Sequence, residues 1–163
     1  MKLFVRVAAV IDRAGMLLTH QAEERGQIYH ALPGGHLEAG ETTAACLGRE
    51  LMEEFGVEVE VGRLLYIAEG MFIAGRKHPK PKHEIVFYYR AMLRDPSAEV
   101  RSLEAPRIIA GWLPLAGGLD RLYPDWLRAT LPADAASGWT GPTRHIVADE
   151  RDAAQHTLSI SEL

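Results

Sequence analysis

The sequence holds a single cysteine, Cys46, so no disulfide can close within the chain. A lone thiol suits a reducing compartment, and the cytoplasm is the expected location. Positive charge is not in excess either. Eighteen Lys and Arg stand against 22 Asp and Glu, for a net charge of −4. No overall basic field is present to recruit nucleic acid. No apolar run approaches the roughly 18 residues of a membrane span, so no membrane partner is expected. Met1-Lys2 leads straight into a strand-like pattern, without the apolar core and small-residue cleavage site of a secretory leader. Internal repeats are absent.

What the chain does hold is enough apolar material for one globular domain, 47% of 163 residues. Leu3 to Ile11 and Met16 to Gln21 read as a hairpin around the turn Asp12-Arg13-Ala14-Gly15. Ala22 to Gln27 is polar and loop-like, and Ile28 to Leu32 is a short extended piece before Pro33. Val57 to Gly62 and Arg63 to Ile73 read as two strands, and GRKHPKPK (Gly75 to Lys82) as a basic loop. HEIVFYYRAML (His83 to Leu93) is the strongest strand, dense in aromatic and β-branched residues. After a polar connection, Ile108 to Leu113 is a further strand, and Leu115 to Leu131 is expected to hold two short helices. Pro132 to Pro142 has the composition of a linker, and a last short strand is expected near His145 to Ala148. Strands on both sides of one central helix indicate an α+β fold, an α/β/α sandwich with a mixed β-sheet between helices.

The central helix is the unusual part. Glu50, Glu53 and Glu54 share one face, while Ala44, Leu47, Leu51 and Phe55 share the neighbouring one. Thr42 and Thr43 offer a hydroxyl cap at its start, and Gly56 suits a left-handed stop. The glutamates lie in the last two turns, where the helix dipole is negative. They also repel one another by roughly 0.2–0.5 kcal/mol per pair. A solvated acidic surface is one meaning of such a run. A site for Mg²⁺ or Mn²⁺ is the other, since a bound cation turns the repulsion into attraction. Before the helix, Pro33-Gly34-Gly35 forms a backbone able to turn sharply and approach a ligand closely. Arg49, four residues before Glu53, is in the weaker order for a helix ion pair; it could instead reach back to Glu41 and pin the loop.

Gly35, five residues, Glu41, seven residues, then Arg49-Glu50-Leu51-Met52-Glu53-Glu54-Phe55-Gly56-Val57 resembles the Nudix box of the Nudix hydrolase family at every fixed position. The resemblance implies a Nudix-like fold. It also implies hydrolysis of a nucleoside diphosphate linked to another group, by water attack at phosphorus. It makes Glu50, Glu53 and Glu54 metal ligands for Mg²⁺, with Mn²⁺ as substitute, and adds a backbone carbonyl at Gly34. Gly35, Glu41 and Arg49 become structural members of the box. The polyanionic substrate needs such a metal, because carboxylates alone would repel it.

In this family the general base varies, and two residues compete here, Glu104 in the polar loop before Trp112 and Glu84 at the start of the strong strand, while the metal ligand Glu50 could also orient or deprotonate the water. Glu104 is otherwise a solvated loop acid, and Glu84 a strand-end charge. Arg6, Tyr29 and Tyr66 are placed as lining for a nucleoside pocket. Lys82, with Lys77 and Lys80, is set to reach a distal phosphate or simply to be solvated. His20, His30, His36, His78 and His83 lack convergent metal spacing, and Trp112, Trp126 and Tyr123 read as core. The extra Pro or Tyr that marks some Nudix subfamilies is missing from Phe72-Ile73-Ala74-Gly75. The expected partner is a small nucleoside diphosphate derivative, with a homodimer left open. Residues 1–131 form the expected catalytic domain, and 132–163 an extension packed on it or partly disordered. A nucleotide-binding regulatory module without hydrolysis is the alternative, though such modules lose box carboxylates. An isomerase of isoprenoid diphosphates on the same fold would need a Cys outside the box, and Cys46 is inside it.

Overall fold

The computed structural model describes residues 2–24, 26–75, 78–152 and 154–163. Strand β1 (Leu3–Val10) shows how the layers arise. Its side chains alternate between two cores: Val7 and Ala9 enter one, Ala8 and Val10 the other. Helix α1 (Thr43–Phe55) covers the first core with Leu47, Leu51 and Phe55. Helix α2 (Leu127–Ala136) covers the second with Leu127 and Leu131, beside Tyr66, Tyr88 and Trp126. The three rings of the second core meet edge to face at centroid distances of 5.3–6.0 Å.

The main sheet runs β1–β6–β5–β8–β9, with β5 at Val59–Ala74, β6 at Lys80–Leu93, β8 at Arg144–Asp149 and β9 at Thr157–Glu162. β1 is parallel to β6 and β8 to β5, whereas β5–β6 and β8–β9 are antiparallel, so the sheet is mixed. A second sheet contains β2 (Asp12–Arg13), β3 (Met16–Glu24), β4 (Gln27–Ala31) and β7 (Ile109–Pro114). Two sheets with one helix on each main-sheet face make the expected α+β arrangement. Among the described residues no helix is long and apolar enough to cross a membrane.

Several local expectations are corrected. The two strands expected between Val57 and Ile73 are one 16-residue strand, β5, with register shifts between Val61 and Tyr66. Pairing along all of β6 holds it together across those irregularities. Polar Ala22 to Glu24 continue β3 because β4 pairs with them. Among the described residues one helix, not two, follows Leu115, and it runs through Pro132 into the supposed linker. Ala129, Ala133, Ala135 and Ala136 favour the helix, and burial of Leu127, Thr130 and Leu131 offsets the proline. Ala44 is exposed on α1, and Cys46, fully buried, takes the expected core position. Downstream, Asp134 of α2 bonds both the Tyr66 hydroxyl and the Arg144 guanidinium, fastening α2 and β8 to the core.

Candidate functional site

The site begins with a loop stitched to the free edge of β1. Val7 N–H donates to the Gly35 carbonyl at 2.9 Å, Ala9 N–H to Pro33 at 2.8 Å, and Leu37 N–H to Val5 at 3.0 Å. The two central glycines are crowded by different neighbours. Gly34 has φ +145°, and a Cβ there would stand 2.2 Å from the Val7 carbonyl oxygen. A Cβ at Gly35 would stand 2.1 Å from the Glu50 carboxyl carbon. The close approach foreseen for these glycines is therefore made to the protein itself, to β1 and to Glu50.

α1 then starts at Thr42, whose hydroxyl accepts from Ala45 N–H at 3.1 Å, and stops at Gly56 in the left-handed region. Arg49 ties helix to loop. Its Nε donates to Glu41 Oε2 at 3.1 Å and its Nη2 to Glu41 Oε1 at 2.8 Å, a two-pronged pair. It also donates to the His36 carbonyl at 3.2 Å, to Glu50 at 3.0 Å and to Glu53 at 3.2 Å. Arg49 holds the Glu41 carboxyl down to about 2. Burial, then the neighbouring Glu41, pushes the Cys46 thiol up to about 12, so it stays protonated and unreactive.

The three box carboxylates have three different surroundings. Glu53 is exposed and leans on Arg49, and Glu50 is mostly covered and shares that guanidinium. Glu54 is buried, 6% exposed, and its Oε2 has no hydrogen-bond partner among the described residues. Burial, followed by the Glu50 charge, raises its carboxyl to about 7, against the opposing pull of the Gly34 backbone, Arg107 and Arg6. Among the described residues no three His, Cys, Asp or Glu side chains form a ready-made metal cage. The donor set nonetheless fits a hard divalent cation. A buried carboxylate oxygen left without a partner is costly, and a cation beside it supplies the missing interaction. Glu50 stands close enough for its charge to act on Glu54, and exposed Glu53, the preceding residue of the helix, is held by Arg49.

The outer candidates separate into two groups. Glu84, 9% exposed, faces Arg6 at 3.7 Å on the cleft side of the main sheet. Lys82 lies over the Phe4 ring at 5.4 Å, with Lys2 over the same ring at 5.1 Å. Glu104 belongs to a loop fixed to the end of α1 by Leu103 N–H donating to the Glu54 carbonyl at 2.7 Å, and its carboxylate pairs with Arg107. Lys77 is outside the described residues. Tyr66 is fully buried, so it lines no nucleoside pocket.

A cleft of about 1280 Å³ opens beside the box, between the α2 face of the main sheet and β4. Arg6, Tyr29, Lys82 and Glu84 line it. His20 lines it too, with Nδ1 buried and unpartnered among the described residues, and burial and then Arg6 lower its pKa to about 4. Arg107 carries its charge toward both His20 and Glu54. Tyr123, expected in the core, is 40% exposed and forms a cleft wall with Glu150. None of His20, Arg107, Tyr123 and Glu150 belongs to the box. No spacing within one segment marks any of them, because His20 comes from β3 and the other three from connections outside the strands.

A NUDIX domain family model matches residues 2–132. Among solved structures, the chain is similar to a MutT NUDIX hydrolase from Burkholderia pseudomallei at 26% identity, over 71% of this chain and 85% of that one, with TM-score 0.57. It is similar to a mutator MutT protein from Bacillus halodurans at 17% identity, over 97% of both chains, with TM-score 0.59. The same holds for an ADP-ribose pyrophosphatase from Streptococcus suis at 17% identity, over 85% of this chain and 92% of that one, with TM-score 0.57. At identities this low the last two matches concern the fold.

Proposed function

The chain belongs to the NUDIX family, and on that premise we propose that it hydrolyses the diphosphate bond of a nucleoside diphosphate linked to another group. The observation that carries this reading is the buried Oε2 of Glu54, unpartnered among the described residues and beside Glu50, at the end of a helix held in place by Arg49. Glu50, Glu53 and Glu54 would hold Mg²⁺, or Mn²⁺ in its place, with the Gly34 carbonyl as a further oxygen donor. The ion supplies positive charge that offsets the diphosphate and the charge developing at phosphorus.

The chain's own residues have separate tasks. Arg6 and Arg107, whose charges both act on Glu54, present cations to the phosphates. Glu84 holds the Arg6 guanidinium toward the cleft. Tyr29 and Lys82 bound the same cleft where the substrate's non-reacting parts lie. We assign the proton to Glu104. In the reaction the water oxygen bonds to phosphorus, the bridging P–O bond breaks, and the water proton passes to the Glu104 carboxylate. The leaving phosphate takes the electron pair of the broken bond. Glu104 travels with α1 through the Leu103–Glu54 backbone bond, which supports its choice over Glu84. The cytoplasm, where Mg²⁺ and nucleotides abound, is the proposed location.

The test is purified protein against a panel of nucleoside diphosphate derivatives, with Mg²⁺ and then with EDTA, reading phosphate or monophosphate release. Release that stops in chelator and returns with Mg²⁺ or Mn²⁺ is the expected result. Full turnover in chelator refutes the metal site. No release from any substrate favours a nucleotide-binding module.

A further inference from the structure

The segment after residue 132 lies beyond the family match, yet it forms part of the cleft. β8 joins the main sheet beside β5 in parallel, with Ala68 opposite Ile146 and Gly70 opposite Ala148. Glu150 N–H donates to the Met71 carbonyl at 2.7 Å, which fixes the backbone where the strand ends. The Glu150 side chain turns back to accept from the Tyr123 hydroxyl, Oε2 at 3.0 Å. Both Glu150 and Tyr123 line the cleft.

This corner differs from the rest of the cleft. Met71 and Pro124 give it apolar walls, while Gly70 across the floor leaves room. Four described cations line the cleft: Arg6 faces Glu84 and Lys82 lies over Phe4 on the β1 side, Arg121 lies beside His30, and Arg128 gives its Nε to the Leu122 carbonyl. A phosphate would be repelled by Glu150, so this end suits an uncharged group rich in hydrogen-bond donors. Tyr123 occupies one oxygen of the carboxylate, and Oε1 can accept from a ligand. A carboxylate held by a tyrosine at the cleft wall is an acceptor for hydroxyl or amino donors, strengthened by its charge.

We infer that Glu150, oriented by Tyr123, determines specificity by accepting hydrogen bonds from the non-phosphate end of the substrate. That end is a donor-rich group such as a ribose diol or the exocyclic amine of a base. This rests on the proposed hydrolase reading for the orientation of the substrate, with its phosphates toward Arg6 and Glu54. Glu150 is here a specificity residue and takes no part in bond breaking, and Tyr123 is its positioning residue.

The experiment uses the full chain and the variants Glu150→Ala, Glu150→Gln and Tyr123→Phe. The probes are the four ribonucleoside triphosphates, their 2′-deoxy and 3′-deoxy forms, and a set of nucleoside diphosphate sugars. KM and kcat are measured with Mg²⁺, and where the wild type turns nothing over, binding of the same probes is measured by calorimetry with Mg²⁺ present. Glu150→Ala should raise KM for the preferred probe by about 10–100-fold while kcat changes by less than about threefold. Glu150→Gln should recover part of the loss, because its amide oxygen still accepts. Tyr123→Phe should give a smaller loss of the same pattern. If the loss disappears with deoxy forms, the donor is a ribose hydroxyl; if it follows the base, the donor is the exocyclic amine. An equal loss on every probe, or a fall in kcat with KM unchanged, overturns the inference. If the wild type hydrolyses nothing, the hydrolase reading falls. The calorimetric comparison still decides Glu150, since selective weakening supports the inference and uniform or absent weakening refutes it.

Discussion

Two neighbouring glycines should fail for different reasons when a methyl group is added. At Gly34 a Cβ would lie 2.2 Å from the Val7 carbonyl oxygen and 2.9 Å from Ala8 Cα. Ordinary contact begins near 3.4 Å, so the chains must part by 3.4 − 2.2 = 1.2 Å. Both groups are backbone, and the loop and β1 are joined by the Val7–Gly35 and Ala9–Pro33 hydrogen bonds, so neither can give way alone. Overpacking of this kind costs about 1–3 kcal/mol, and the backbone at φ +145° adds roughly 1–3 kcal/mol for any side chain. Gly34→Ala should therefore lose about 2–6 kcal/mol, a large part of the total stability of a domain. In a chain of this size that lowers Tm by on the order of 10 °C. At Gly35 the obstacle is the Glu50 carboxylate, the far end of a flexible side chain. Gly35→Ala should change stability by less than about 1 kcal/mol, because Glu50 can turn away. The displaced carboxylate should instead lower turnover by on the order of 10²-fold. Urea unfolding in EDTA and steady-state turnover in Mg²⁺ separate the two effects. If Gly34→Ala unfolds within about 1 kcal/mol of wild type, or Gly35→Ala loses as much stability as Gly34→Ala, the steric reasoning is wrong.

Glu104→Gln should slow turnover by roughly 10²–10⁴ with little change in metal affinity; a near-normal rate alongside a slow Glu84→Gln passes the proton to Glu84, and normal rates for both leave Glu50 or a metal-bound hydroxide. Glu54→Gln should be inactive yet melt higher than wild type in EDTA, since the buried Oε2, unpartnered among the described residues, no longer carries charge. Saturating Mg²⁺ should reverse that order by stabilising only the wild type, and a variant that melts lower even in EDTA would sink the argument. His20 is half-buried with its Nδ1 covered, and it faces Arg6 and Arg107 as well as His30, with a folded pKa of about 4 against 6.5 for an unperturbed histidine. The unfolded chain then binds the extra proton as pH falls below 6.5, so stability drops between about pH 6.5 and 4 by up to about 3 kcal/mol. His20→Gln should flatten the urea midpoint across that window, and an unchanged slope would show that His20 takes up its proton in the native state as easily as in the unfolded chain.

By itself the sequence determined the box, because its restrictions are local. A left-handed stop at Gly56, a hydroxyl cap at Thr42, and carboxylates three and four apart on one helix follow from the geometry of a single element. The Arg49–Glu41 pair was open to the same reasoning, since it spans one loop and two helical turns. Tertiary structure alone decided how unlike the three glutamates are. Which side of α1 meets the sheet buries Glu54 and leaves Glu53 in water, and helical periodicity had placed both on one face. It also decided that β5 runs as one strand, since pairing with β6 outweighs the break that Gly62 and Arg63 suggest. The cleft was least accessible of all. Arg6, His20, Tyr123 and Glu150 come from four segments far apart in the chain, and Tyr123 reads as core from its ring alone. They share a wall only because β8 inserts beside β5 and α2 closes over the same face. A contact between distant segments depends on how sheets and helices stack, and no spacing within one segment records it.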